Sequence, residues 1–315
     1  MTLYPIRRPR LGVHIDPQAL TVVEVGRDWH RGGYGLRLND CRQLTLPTGL
    51  LRLSSTEPNI LDMQAMTNHL VEALGRRGRR CLTLSLPDHC ARIALFDFET
   101  LPQKPSEIDG LLRWRLQKDL NMPAGQTRMQ YRVFRPASGA GKVENQLIRV
   151  LVAAVREDIV SQYEQLCEAV GAIPVSIGLS SLALLGWWRS LMTDHPTEAL
   201  FLHATDCGFT FMAFREGCPA FLRSKGLPVE PTEEILATLH YYADRDAGRV
   251  PIQDQASPPL YMVKEQDWEI PPDSVDLPPL KLINLGWHSV RVARRSLPEH
   301  LPFSGLPALA TLLAA

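Results

Sequence analysis

The chain has 315 residues, 45% of them hydrophobic and 22% charged, which is close to the globular average and excludes a collagen, a coiled coil and an intrinsically disordered chain. At roughly 150 residues per domain the length predicts two domains. Thirty-four basic residues balance 34 acidic ones, which removes whole-chain electrostatics as an argument for a nucleic-acid binder. The charge is nonetheless polarised: residues 1–150 carry 22 basic and 14 acidic side chains, or +8, and residues 151–315 carry 12 and 20, or −8. The six cysteines form no CxxC pair, so reduced, partly buried thiols are expected rather than a disulfide framework or zinc site. The opening MTLYPIRRPRLGVHID has no apolar run of signal-peptide length, and no stretch reaches the ~18 apolar residues of a membrane span. A soluble, cytoplasmic protein is expected, reaching a membrane only through a partner or a surface patch.

In chain order, LGVHI and LTVVEVG flank an Asp16-Pro17 breaker and predict a hairpin, continued by a strand near Tyr34 to Leu38. A helix follows from about Asp62, with Met63, Met66, Leu70 and Leu74 at helical spacing and Gly75 as its stop. Arg76, Arg77, Arg79 and Arg80 read as a solvated cap before the strand CLTLSLP. A meander, a helix and a returning strand open a ribonuclease-H-like subdomain, the building block of the actin and sugar-kinase superfamily; on pattern alone other mixed folds fit too.

ARIALFDF and MQYRVF read as strands around a helix with Ser106 as N-cap, an apolar stripe of Ile108, Leu111, Leu112, Leu116 and Leu120, and Arg113, Arg115 and Lys118 on the other face. SGAGK at 138–142 reads as a hairpin tip or loop, and QLIRVLVAAV as a central strand. An amphipathic helix from Glu157 stops at Gly171; AIPVSIGLSSLALLGWW gives a strand, a loop and an apolar helix whose Trp187 and Trp188 belong in a core. ALFLHAT and GFTFMAF repeat the opening hairpin about 190 residues later, as two related halves would. A third strand follows Gly217, then a helix capped by Thr232, a mostly looped stretch from Asp246 to Pro279 with a strand at LYMV, and the apolar terminus GLPALATLLAA, which should pack or form an interface.

The order and wording of LGVHIDPQALTVVEV, LTLSLPDHCARIALFDFETLP, IDGLLRWRLQKDLNMP, VLVAAVREDIVSQYEQLCEAVGAIPVSIGLSSLALL, ALFLHATDCGFTFMAFREGCPAFLRS and EEILATLHYYAD resemble the PilM-type actin-like proteins of type IV pilus assembly and their relatives in type II secretion. The resemblance reaches about residue 243. It implies an α/β, actin-like fold of duplicated ribonuclease-H-like subdomains: a first half at 1–178, carrying an inserted small α+β subdomain at about 88–145, and a second half at 179–315. It further implies a cytoplasmic protein, peripheral at the inner membrane, docked on the cytoplasmic N-terminal tail of an inner-membrane pilus or secretion protein. Contact with the assembly ATPase and self-association are left open by it. The tail would lie along the inserted subdomain, with Arg113, Arg115, Lys118, Phe96 and Phe98 as the partner-binding residues, since peptide capture uses a sheet edge or groove with side-chain pockets.

The same resemblance implies phosphate-facing turns built from an acidic residue, glycine and small hydroxyl residues, whose amides approach phosphate. Here the first turn reads His14, Ile15, Asp16, Pro17 and Gln18, and Pro17 has no amide hydrogen. The second reads His203, Ala204, Thr205 and Asp206; where relatives carry an acidic residue stand Gly178 and Ser180, and the glycines that would admit adenine are replaced by Val263, Lys264, Glu265 and Gln266. A carboxylate some 4 Å from a phosphate charge costs about 4 kcal/mol at an effective dielectric of ~20. The expectation is therefore a degenerate site, no bound ATP or magnesium and no enzymatic activity, the alternative being an active ATPase of the same superfamily. His14, Asp16, His203 and Asp206 contain metal-ligand types but no ligand spacing, so no metal site is expected. GxxxxGK and GxSxG are absent from the sequence, so neither a P-loop nor a hydrolase triad is expected.

Overall fold

The computed structural model describes residues 9–30, 33–75, 80–135, 147–191, 198–226, 231–247, 258–264, 280–289, 293–294 and 301–314. The 138–142 loop, Arg76, Arg77 and Arg79, and most of 246–279 lie outside them. The chain forms two compact units, each discontinuous: residues 1–90, 158–192 and 286–315 in one, and 91–157 and 193–285 in the other. They are thus different objects from the sequential halves 1–178 and 179–315.

In the first unit, β1 (Leu11–Ile15), β2 (Ala19–His30) and β3 (Gly33–Thr45) form the expected antiparallel meander. β3 runs well past Leu38: Asn39 is a bulge at which the register with β2 shifts, and Asp40, Arg42 and Gln43 break the apolar pattern while still pairing with β2. β4 (Arg80–Leu86) and β8 (Ala172–Leu179) add in parallel beyond β1, and β14 (Ala293–Arg294) flanks β3, for a strand order β14-β3-β2-β1-β4-β8. Helix α1 (Met63–Leu74) is capped as the sequence predicts: the Asp62 carboxylate accepts the Ala65 amide at 2.9 Å and Gly75 closes the end at φ +71°. Helix α3 (Glu157–Ala169) buries Ile159, Val160, Tyr163 and Leu166. Helix α4 (Ser180–Leu191) follows β8 directly, without the expected loop, and buries both Trp187 and Trp188.

The last helix, α6 (Gly305–Ala314), is buried from Gly305 to Leu312, so the apolar terminus packs within its own unit. Burying each of Leu306, Leu309 and Leu312 contributes about 1.5–3 kcal/mol. It lies so close to β1 that a Cβ on Gly12 would sit 2.4 Å from the Ala308 carbonyl oxygen, and one on Gly178 would meet Thr311.

In the second unit, β9 (Glu198–Thr205), β10 (Gly208–Arg215), β11 (Cys218–Gly226), β12 (Pro259–Lys264) and β13 (Lys281–Asn284) have the order β11-β10-β9-β12-β13. Like β3-β2-β1-β4-β8, this is a meander followed by two parallel strands, so the hairpin repeat read in the sequence is a repeat of the whole sheet. Glu216 and Gly217, both at positive φ, make the tight β10–β11 turn. Helix α5 (Pro231–Ala247) begins before Thr232, which lies in its first turn instead of capping it.

The same unit holds a three-stranded sheet, β5 (Arg92–Phe98), β7 (Ile148–Arg156) and β6 (Thr127–Phe134), with β7 central as its apolar run predicts. Because β7 extends to Arg156, this subdomain ends later than residue 145. Helix α2 (Pro105–Leu120) covers one face, packing Ile108, Leu112 and Leu116 on Ala94, Phe96, Val150 and Val152. Its N-cap is Lys104, with no side-chain hydrogen bond, and Ser106 is inside the helix: Pro105 takes the first helical position, where its fixed φ fits and its missing amide hydrogen costs nothing.

Candidate functional site

Three places carry the residues singled out by sequence. In the turn between β1 and β2, Asp16 Oδ1 accepts the amide hydrogens of Gln18 at 2.8 Å and Ala19 at 2.7 Å, while the Asp16 amide donates to the Ala19 carbonyl at 3.0 Å. The carboxylate thus occupies the backbone donors that an incoming anion would need, and Pro17 supplies none. His14 is 2% exposed, and its Nδ1–H donates to the Ser85 carbonyl at 3.1 Å, which turns Nε2 toward Asp16 Oδ2 at 3.8 Å. Burial holds the imidazole below its ordinary pKa of 6.5, against the opposing pull of Asp16, the Ser85 carbonyl and Asp88. At neutral pH the ring is uncharged and brings no positive charge to the turn.

Register continues this arrangement across the sheet: Thr21, His14, Ser85 and Gly178 pair in one row, on the face that meets α6, where Thr21 Oγ1 lies 2.7 Å from Ser304 Oγ. Beyond it, buried Asp88 accepts the Ser181 amide at 3.1 Å and so caps the start of α4, beside buried Ser180. Sequence reading missed Asp88; its signal was an acidic residue directly after an apolar strand and proline, whose partner lies 93 residues away. Backbone amides of the turn and of the helix start are therefore both taken by carboxylates of the chain itself.

The β9–β10 turn is built differently. The Thr205 hydroxyl accepts the Cys207 amide and donates to the Gly208 carbonyl, both at 3.2 Å, while His203 is buried and Asp206 is exposed. His14 and Asp16 belong to one unit and His203 and Asp206 to the other. Among the described residues, no group of three or more His, Cys, Asp and Glu side chains could hold a metal ion. Val263 is buried on β12; Glu265 and Gln266 lie outside the described residues.

The third place is the outer side of α2. Arg113 is committed internally: it bridges Asp109 at 2.7 Å and donates to the carbonyls of Ala124 and Thr127 at 2.8 and 2.9 Å, tying the helix to the start of β6. Phe96 is 6% exposed and belongs to the core beneath α2, because the strand alternation that makes it conspicuous in sequence aims it at the helix. Arg115 stacks over Phe96 and Phe98, 5.0 and 5.8 Å from their ring centroids, and pairs with Asp119. Lys118 Nζ stands 4.9 Å from the ring centroid of Trp114, which is 52% exposed. Trp114 was missed by sequence reasoning, although an aromatic lying outside the 108/112/116 stripe was the available signal.

The doubled strand order, with a small α+β subdomain beside it, defines an actin-like α/β fold. Among solved structures, the chain is similar over 98% of its length to 97% of a chain in the PilM-PilN type IV pilus biogenesis complex, with a TM-score of 0.68 at 17% identity. Weaker likenesses include the cytoplasmic domain of EpsL, an inner membrane component of the type II secretion system of Vibrio cholerae (TM-score 0.48, 11% identity, 97% of this chain and 94% of that one). A protein with an actin-like ATPase fold and unknown function from Bacteroides thetaiotaomicron also has a TM-score of 0.48, at 11% identity over 82% of each chain. No family model and no curated protein sequence matches the chain. No helix among the described residues is long and apolar enough to cross a membrane.

Proposed function

We propose that the chain is a scaffold of a type IV pilus or type II secretion assembly machine, held at the inner membrane by the cytoplasmic N-terminal tail of a partner, and that it works without binding or hydrolysing ATP. The likeness to a chain of the PilM-PilN complex supports the choice of machine. The observation that carries the silent site is the Asp16 carboxylate on the amides of Gln18 and Ala19: a phosphate would have to displace it and then tolerate its charge, at about 4 kcal/mol for a 4 Å separation at a dielectric of ~20.

For the docking surface, the reading takes the outer side of α2: Arg115, Lys118 and the half-buried Phe98, joined by Trp114, with Arg113 as an anchor of the helix and Phe96 as the floor. An exposed aromatic beside two cations suits a tail that offers apolar and acidic side chains. The test is fluorescence anisotropy with labelled peptides spanning the cytoplasmic tails of the inner-membrane pilus and secretion proteins of the same genome. One tail should bind, and Trp114→Ala or Arg115→Glu should weaken it at least about tenfold, as truncation of an interface anchor does. If no tail binds, or if the binding tail ignores both substitutions, this docking surface is wrong.

A further inference from the structure

Helix α2 carries a glycine in its interior, Gly110, that no packing within the chain explains. Gly110 is exposed and helical, and a Cβ added there would meet nothing within 4 Å among the described residues. After proline, glycine is the least favourable residue of a helix interior, so folding alone would sooner place alanine at this position. One turn further on stands Trp114, 52% exposed. With Glu107 before them and Lys118 after them, all exposed, they make one stripe along the side of the helix that faces away from the Ile108, Leu112 and Leu116 core.

The order of that stripe is carboxylate, notch, aromatic ring, cation, and it is complementary to itself reversed. If a second α2 is laid antiparallel on the first, about a two-fold axis beside residue 112, Trp114 of each helix falls on Gly110 of the other. Lys118 of each then comes beside Glu107 of the other, because residues 110 and 114, and residues 107 and 118, are centred on nearly the same point of the helix. The missing Cβ lets the two helices approach closely, and each ring also covers the half-buried Leu111 of the other copy. The present partner of Glu107 is Lys104, at 3.2 Å, in a pair whose side chains are 53% and 76% exposed. A pair so open to water is weak, and exchanging it for Lys118 of the other copy costs little.

We propose that the outer stripe of α2 is a self-association surface, through which two copies of the chain pair antiparallel as an isologous dimer. The inference stands on α2 alone and does not rest on the tail reading. Because Trp114 serves both, a second copy and a tail bound at this face exclude each other.

The test is sedimentation equilibrium of the full chain up to about 1 mM, a range that reaches millimolar dissociation constants, since a contact confined to one helix is small. The chain should dimerise, and Trp114→Ala and Gly110→Gln should each weaken the dimer at least about tenfold. Glutamine is the better helix former, so Gly110→Gln should keep or raise the melting temperature and its loss of pairing cannot be put down to unfolding. Glu107→Lys and Lys118→Glu should each weaken pairing by bringing like charges together, and the double variant should restore it. Such rescue is peculiar to a face that pairs with itself; tail binding would not be restored by it, so this inference and the tail reading fail separately. A chain that stays monomeric, a dimer indifferent to Gly110→Gln and Trp114→Ala, or a double charge reversal without rescue overturns the inference.

Discussion

The β1–β2 turn and the outer side of α2 make opposite use of charge. At the turn, Asp16 satisfies two amides, His14 is buried and neutral, and Asp88 closes the start of α4. On α2, the exposed Lys118 stands over a half-exposed Trp114, and the half-buried Arg115 stacks over Phe98 and pairs with Asp119. At the first region backbone amides are taken by carboxylates of the chain; at the second, one aromatic and one cation, Trp114 and Lys118, are exposed. The polar groups of the first unit's turn are thus engaged within the chain, whereas the small subdomain exposes an aromatic and a cation.

The sharpest way to break that contrast is to pry open the sheet behind the turn. Gly12→Ala puts a methyl 2.4 Å from the Ala308 backbone, where no flexible side chain can give way; urea denaturation should show a loss of about 3 kcal/mol or more, at the upper end of overpacking costs. Asp16→Ala comes next. It leaves the Gln18 and Ala19 amides without their acceptor, and should cost about 1–3 kcal/mol in the same assay. On α2 the two arginines should separate: Arg113→Ala breaks two bonds to carbonyl oxygens and should cost about 1–2 kcal/mol, whereas Arg115→Ala should stay below about 1 kcal/mol while weakening the tail peptide.

The smallest effect is in pH. His14 has a folded pKa depressed by burial below 6.5, so the unfolded chain binds a proton that the folded chain refuses. The His14 contribution is fully present above pH ~6.5 and is lost as pH falls toward the folded value. Melting temperatures between pH 7.5 and pH 5.5 should therefore fall less steeply in His14→Gln than in the parent; an identical slope would mean that His14 is not the buried neutral group described.

How far the sequence discloses this depends on the range of the interaction. Asp62 and Gly75 bound α1 correctly because caps act within one turn, and the paired hairpins were visible because alternation is local. Ser106 and Thr232 misled because a proline beside each already supplied the first helical residue. Asp16 then Pro17 marked the first turn as unusual, but that the carboxylate takes the amides of Gln18 and Ala19 needed the folded hairpin. Asp88 on α4, the closeness of Gly12 to α6 and the burial of Phe96 under α2 are long-range contacts with no local sign. Arg113 and Arg115 look alike in sequence; only the carbonyls of Ala124 and Thr127 tell them apart.

The most direct measurement is a thermal melt of the purified chain with and without millimolar Mg-ATP, alongside Asp16→Gly. A ligand at 100 times its dissociation constant adds about 2.7 kcal/mol and moves the midpoint by several degrees. The account predicts no shift for the parent chain. A clear shift in the parent, reduced rather than increased by Asp16→Gly, would mean that Asp16 belongs to a working nucleotide site and would contradict the account.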